Sequence, residues 1–491
     1  MRLSTSLALA ALGLAASALP AAAGTLLVPQ RFPTIQKALD AAKPYDTVLV
    51  SPKADGKPYS EAVTISTPHV VLQGQNNPVI DGTGLGITVT DSFGFTSTAF
   101  PNGVEIRASH VAVRGLTVQN TGGSLFSEAS GVNVGYVSTD GQTDVSYSDI
   151  EISGVTARND YDGIMVMGYA GVSPYYGGTP TPLKGYRLLN NVITGSTNIA
   201  AQITGSTGAL ISGNQFTGNT GAGLVVGGNV YGVPPAENAQ IVGNQFIGNT
   251  GDGMDAYGDG LLVSANEAAF NGYFGMAVTN SLYNPAVNDP NNPNPAPTAV
   301  AFNSVHDNQS YGLAVSGTQT VSGNVLSRNT GFGLYLYGSD YSTVSFNLIT
   351  GTAVGGFGDD TGTGLYANGF SFTGPGGFLT ISANEIIGNA GDGIFLAWIT
   401  GSKVLANNVS GNKGIGIHLS DYPHLGNTPN IVTQNRALYN TLFDARDDSN
   451  AADNLSYNGY TSYGDNGKYG ASINVWTRNL FGTTDPVGLS K

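Results

Sequence analysis

The sequence predicts an all-β fold wound as one parallel β-solenoid, and three observations predict it. A frame of Asn and Gly recurs through the middle of the chain. Between its copies lie short runs of three to five residues with period-two apolar alternation, such as Leu334-Tyr-Leu-Tyr337. The gaps between runs are too short for helices. The frame is plain when Asn214-Gln-Phe-Thr-Gly-Asn219-Thr-Gly-Ala-Gly-Leu224 is set beside Asn244-Gln-Phe-Ile-Gly-Asn249-Thr-Gly-Asp-Gly-Met254. It returns at Asn266, Asn303, Asn324, Asn384 and Asn407, each with a second Asn five residues on. Degenerate copies begin at Gly154, Asn190, Asn347 and Asn435. The shortest intervals, 21 residues from 303 to 324 and 23 from 384 to 407, set the unit. A strand-turn-strand-turn-strand unit of that length must stack on its neighbours to bury an apolar face. Stacking brings equivalent Asn residues to the strand spacing of ~4.8 Å, where their amides can bond along a column. Gly in the frame suits turn positions with φ > 0.

Along the chain, residues 1–23 read as a signal peptide. Arg2 supplies the basic start, Leu7 to Leu19 the apolar core, and Ala21-Ala22-Ala23 the cleavage site before Gly24. Residues 24–491 form one domain. Ile35, Ala38, Leu39 and Ala42 fall at helical spacing with Thr34 as N-cap, so a short helix within an N-terminal cap of about 29–45 is expected. The first strands follow in Asp46–Ile65. Insertions are expected at about 169–182, at 284–297 with its five prolines, and at 352–363, with a C-terminal cap over about 444–491.

Composition narrows the function. With 33 acidic and 19 basic residues the net charge is −14, which disfavours nucleic acid and anionic membranes as partners. Only 11% of residues are charged while 41% are apolar, so the chain is not a disordered one. It has no Cys, so a continuous core rather than disulfides must hold it together. The expected location is secreted, periplasmic or cell-surface, without membrane insertion; self-association stays open.

The stretch Pro33-Thr-Ile-Gln-Lys-Ala-Leu39, the strands of Asp46–Ile65, the Asn repeat and the ending Asn479-Leu-Phe-Gly-Thr-Thr-Asp-Pro-Val-Gly-Leu489 together resemble the pectin-lyase-like superfamily of right-handed parallel β-helices. The resemblance spans residues 28 to 489. It implies a right-handed coil, and it leaves activity open among lyases, hydrolases, epimerases and adhesins. Of the polygalacturonase signatures only Asp-Asp occurs, as at Asp359-Asp360, and Asp289-Pro-Asn-Asn is not the Asp-Pro-His-Asp of mannuronan epimerases. No catalytic set carries over residue by residue.

Candidate residues therefore come from patterning. In Gly253-Met-Asp-Ala-Tyr257, Met254 and Ala256 point inward, which sends Asp255 and Tyr257 outward and makes Asp255 the best single carboxylate, beside Asp359 and Asp360. Asp162, Asp252 and Asp392 share a position before a turn Gly and are expected to make Asx-type turns. Asp444, Asp447, Asp448 and Asp453 cluster and offer oxygen ligands to calcium, although no motif requires a cofactor. The five histidines form no metal pair. Alignment of the strands places Tyr335, Tyr366, Phe395 and His418 in one outward column, with Tyr337 and Trp398 just beyond. Aromatic rings in a row suit the flat apolar faces of sugars. The expectation is a secreted β-helix that binds, and cleaves or modifies, an extended polysaccharide on this face. The alternative is a non-catalytic structural or assembly protein of the cell envelope.

Overall fold

A computed structural model describes residues 23–90, 96–123, 129–138, 141–173, 176–228, 233–280, 297–355, 361–371, 374–420, 429–447 and 474–485. Each full coil contributes one strand to each of three parallel sheets. The first sheet runs from Thr25–Val28 to Val475–Thr477 and the second from Val79–Asp81 to Leu480–Phe481. The third runs from Val63–Ile65 to Thr484–Asp485. Register is strict: Ile241 pairs with Val263, Val263 with Val300, and Val300 with Val321 along the first sheet. Because strand side chains alternate, each coil turns one residue of a three-residue strand inward and two outward. The inward column is apolar throughout, and Phe216 stacks on Phe246 at 5.2 Å inside it.

Two Asn columns flank the second sheet, as the repeat predicts. In the first, the amide nitrogen of Asn191 donates to Asn214 at 2.9 Å, and the chain of amide bonds passes through Asn244, Asn266, Asn303, Asn324, Asn347, Asn384, Asn407 and Asn435 to Asn479. Each amide also donates to a carbonyl of the preceding coil, and each side-chain oxygen receives a backbone N–H from it, as in Asn324 to Val300 and Asn303 to Asn324. The second column runs from Asn219 to Asn329 and from Asn389 to Asn440, with Thr352 between. The frame is shifted by one at its weak N-terminal copies. Asn190 and Gly154 are bend residues with φ of 53° and 59°, and Asn191 and Val155 follow in the column.

The expected helix spans Ile35–Ala41; the Thr34 hydroxyl accepts the Lys37 N–H, and Ile35, Ala38 and Leu39 enter the core. The 169–182 insertion is not loop alone. Tyr169–Val172 pairs antiparallel with Thr181–Lys184 and with Thr143–Val145, so the decoration satisfies its backbone in small sheets beside the coil. Residues 281–296 and 356–360 lie outside the described set, as do 1–22, most of 444–491, and with them Asp359, Asp360, Asp448 and Asp453.

Candidate functional site

The outward face of the third sheet carries the expected column. Asp255 pairs with Ala277, then Ala314, Tyr335, Tyr366, Phe395, His418 and Arg446 in successive coils. The rings of Tyr335, Tyr366, Phe395 and His418 stack at 5.6, 5.2 and 4.3 Å, inclined by 10°, 29° and 9°. This stacking bears on the expected sugar-binding role of the column. Rings parallel to one another along the solenoid axis spend their faces on each other, and Tyr366 and Phe395 are only 7% and 8% exposed. With Phe332 and Ala397 they form a second apolar cluster outside the main core, flanked by Tyr311 and Tyr335. Tyr337 stands one outward row further along the strand, in line with Ser316 and Asn368. Trp398 does not share that row, which holds Ala397 in its coil; Trp398 is the bend residue after it, with φ of 58°.

At the far end of the column, His418 Nδ1 lies 2.8 Å from Asp392 Oδ2. Asp392 Oδ1 accepts the Ile415 N–H at 2.6 Å. The same bond explains the other two turn acids: Asp162 receives the Ile199 N–H and Asp252 the Phe274 N–H. These carboxylates tie one coil to the next rather than making local Asx turns. The reason is geometric, since the first residue of each third-sheet turn lies directly over the equivalent N–H of its neighbour.

Asp255 stands elsewhere in character. It is half-buried rather than freely solvated, and it accepts no hydrogen bond among the described residues. Burial alone pushes its carboxyl up to about 6. Asp252, three residues earlier, is also pushed up to about 6, by burial first and then by the charge of Asp255; the Phe274 N–H acts against the rise. Two residues after Asp255, on the same face, Tyr257 is 4% exposed and its hydroxyl has no hydrogen-bond partner among the described residues. Burial, with Asp259 nearby, raises that phenol to about 12. Neighbouring coils place Gln202, Val225, Ala277 and Ala314 in the Asp255 column, so no basic side chain answers this acid there. Sequence reasoning found Asp255 but not its company. The available signal was the spacing Asp252-x-x-Asp255-x-Tyr257, polar at outward positions where adjacent coils carry small or apolar residues.

Of the four expected calcium acids, the two described, Asp444 and Asp447, accept protein donors. Asp444 ends the second Asn column: Oδ1 takes the Asn440 N–H and amide, and Oδ2 takes the N–H groups of Gly482 and Thr483. Asp447 accepts the Trp476 indole N–H at 2.9 Å. No group of three metal-ligating His, Asp or Glu side chains occurs among the described residues.

The family model described as right handed beta helix region matches residues 181–349 and 294–421. The chain is a right-handed parallel β-helix. This β-helix resembles in shape the A-module of Azotobacter vinelandii mannuronan C-5 epimerase AlgE6, at 16% identity over 82% of this chain and 93% of that one, with a TM-score of 0.46. It also resembles the Dettilon tailspike protein, at 12% identity over 80% and 68% of the two chains and a TM-score of 0.44. The periplasmic alginate epimerase AlgG matches at 10% identity over 79% and 83%, with a TM-score of 0.37. No curated protein matches the sequence. No helix among the described residues is long and apolar enough to cross a membrane.

Proposed function

We propose that this β-helix is an exported protein that binds an extended polysaccharide along the outward face of its third sheet and carries out acid–base chemistry on it at Asp255. The observation that supports this is a half-buried carboxyl, raised by burial to about 6, on an outward face beside a second acid and an unpartnered buried phenol. A proton donor works best when its pKa lies near the operating pH, and paired acids divide the roles when one is better stabilised as an anion. The Phe274 N–H favours charge on Asp252, so Asp252 ionises first and Asp255 holds its own proton longer. In glycoside cleavage Asp255 would then protonate the leaving oxygen, while Asp252 takes the proton of the water that adds to the sugar carbon.

The test is turnover of a panel of polysaccharides, followed by new reducing ends and by absorbance of unsaturated sugars, from pH 4 to 8. A profile centred near pH 6 is expected, with Asp255→Asn lowering kcat at least 100-fold while binding persists. Binding and turnover both untouched by Asp255→Asn would overturn the assignment. A second reading, a non-catalytic envelope spacer, draws on the self-stacked rings of Tyr335, Tyr366 and Phe395, which strengthen the solenoid without offering a face. It predicts no turnover of any polysaccharide at any pH.

A further inference from the structure

The first sheet has a different outward face. Three consecutive coils carry Thr-Val-Ser, Thr-Val-Ser and Thr-Ile-Ser, with Thr320, Thr343 and Thr380 in register and Ser322, Ser345 and Ser382 in register beside them. The result is a grid of hydroxyls, ~4.8 Å apart between coils and ~6.8 Å apart along each strand. None of these six hydroxyls makes a hydrogen bond among the described residues, and all but Ser345 keep solvent access. The preceding coil adds only Ala299 and Ala301, so four coils of this face bear no charge at their outward strand positions in a chain of net charge −14.

Aromatic rings border the grid on both sides. Tyr341 and Phe378, in adjacent coils at the bend entering the sheet, lie parallel at 5.1 Å. Phe302 and Phe346 occupy the bend leaving it, and Phe302 leans over Gly323 of the coil between them. These rings are unusually open, from 45% for Phe378 to 71% for Phe346. All four residues have φ of 57–58°, the left-handed conformation that a Cβ disfavours. Some coils place glycine at the same bends, Gly213, Gly243 and Gly323 at one and Gly260 and Gly401 at the other, while others hold small or polar residues such as Ala265, Ala383, Ala406 and Asn238 in the same conformation. Backbone comfort does not call for aromatic residues here, and Phe302, Tyr341 and Phe346 leave most of their surface in water. Local choices that work against the fold gather where a protein meets a ligand.

The geometry points to a second binding face, distinct from the Asp255 region, that takes a neutral, hydroxyl-rich polysaccharide presented as a flat fibre surface. Absence of charge matches a neutral occupant and rejects a polyanion. Donor-acceptor hydroxyls in a fixed grid meet sugar hydroxyls, and the bordering rings supply apolar contact. The protein would be held on its fibre by the first sheet while the third sheet faces outward to its own chain.

The test is co-sedimentation of the mature protein with microcrystalline cellulose and with chitin, alginate gel beads serving as the anionic control. Retention on at least one neutral fibre and none on alginate is expected. Phe302→Gly/Phe346→Gly should weaken retention at least tenfold while leaving Tm unchanged or higher, because glycine relieves both bends. Asp255→Asn should be retained like wild type, which separates this face from the catalytic reading. Failure of the wild type to bind either fibre, or wild-type retention by the double glycine variant, would overturn the inference. So would loss of self-association, seen as a smaller sedimentation coefficient, as the sole effect of the variant.

Discussion

A carboxyl group placed in a row built for amides must supply a hydrogen where asparagine supplies one. Asp160 holds such a place in line with the second column, two coils ahead of Asn219, its Oδ1 receiving the N–H and hydroxyl of Thr121. Its other oxygen, where Asn219 has a donating nitrogen, is buried and unpaired among the described residues. Burial drives this acid up to about 7, the Thr121 bonds acting against the rise. The folded chain therefore binds a proton more tightly than the unfolded chain, whose Asp titrates near ~3.9. That contribution to stability is fully present below pH ~4 and is lost as pH rises through about 7. Asp160→Asn should restore the donor and raise stability at pH 8 by ~1–3 kcal/mol, with a smaller gain at pH 5. Urea unfolding at the two pH values checks this, and equal gains at both would mean the folded carboxyl is already ionised at pH 5.

At the scale of the element, the repeat made the coil legible because its cause is local. A residue that must bond to its own copy above and below leaves a periodic mark, and Asn303, Asn324 and Asn347 leave it in the sequence. Asn324→Leu removes the acceptor of the Asn303 N–H and amide and the donor to Val300, and should cost ~3 kcal/mol or more. Thr352, whose hydroxyl is unpaired among the described residues, interrupts the second column between Asn329 and Asn389. Thr352→Asn should complete it and raise stability by ~1 kcal/mol, read as a shift in Tm. The candidate site was harder to see because its properties depend on depth. Asp255 and the solvated acids share one alternating pattern, and only enclosure separates them. The aromatic column was placed in register and stacked from the sequence, yet its depth was not, since the burial of Tyr366 and Phe395 is set by what packs beside them. Exposure of Phe302 and Phe346 left no periodic signal, because bends are read as Gly or Asn positions.

At the scale of the molecule, order runs along the axis while charge is spread thinly over the surface. Calcium is proposed only as an optional ligand: Asp444 and Asp447 already accept protein donors. Excess calcium is therefore expected to leave Tm unchanged. A rise that saturates with calcium would instead assign a site by mass action. Coils touch only adjacent coils, so stability is a sum of neighbouring interfaces rather than one global core. The gap at Thr352 then matters mechanically. Stretched along its length, the molecule bears the same tension at every interface, and resistance is that of the weakest join. Within the laddered coils from Asn219 to Asn440, force applied at the two ends should part the solenoid first beside Thr352, where one row of amide rungs is missing.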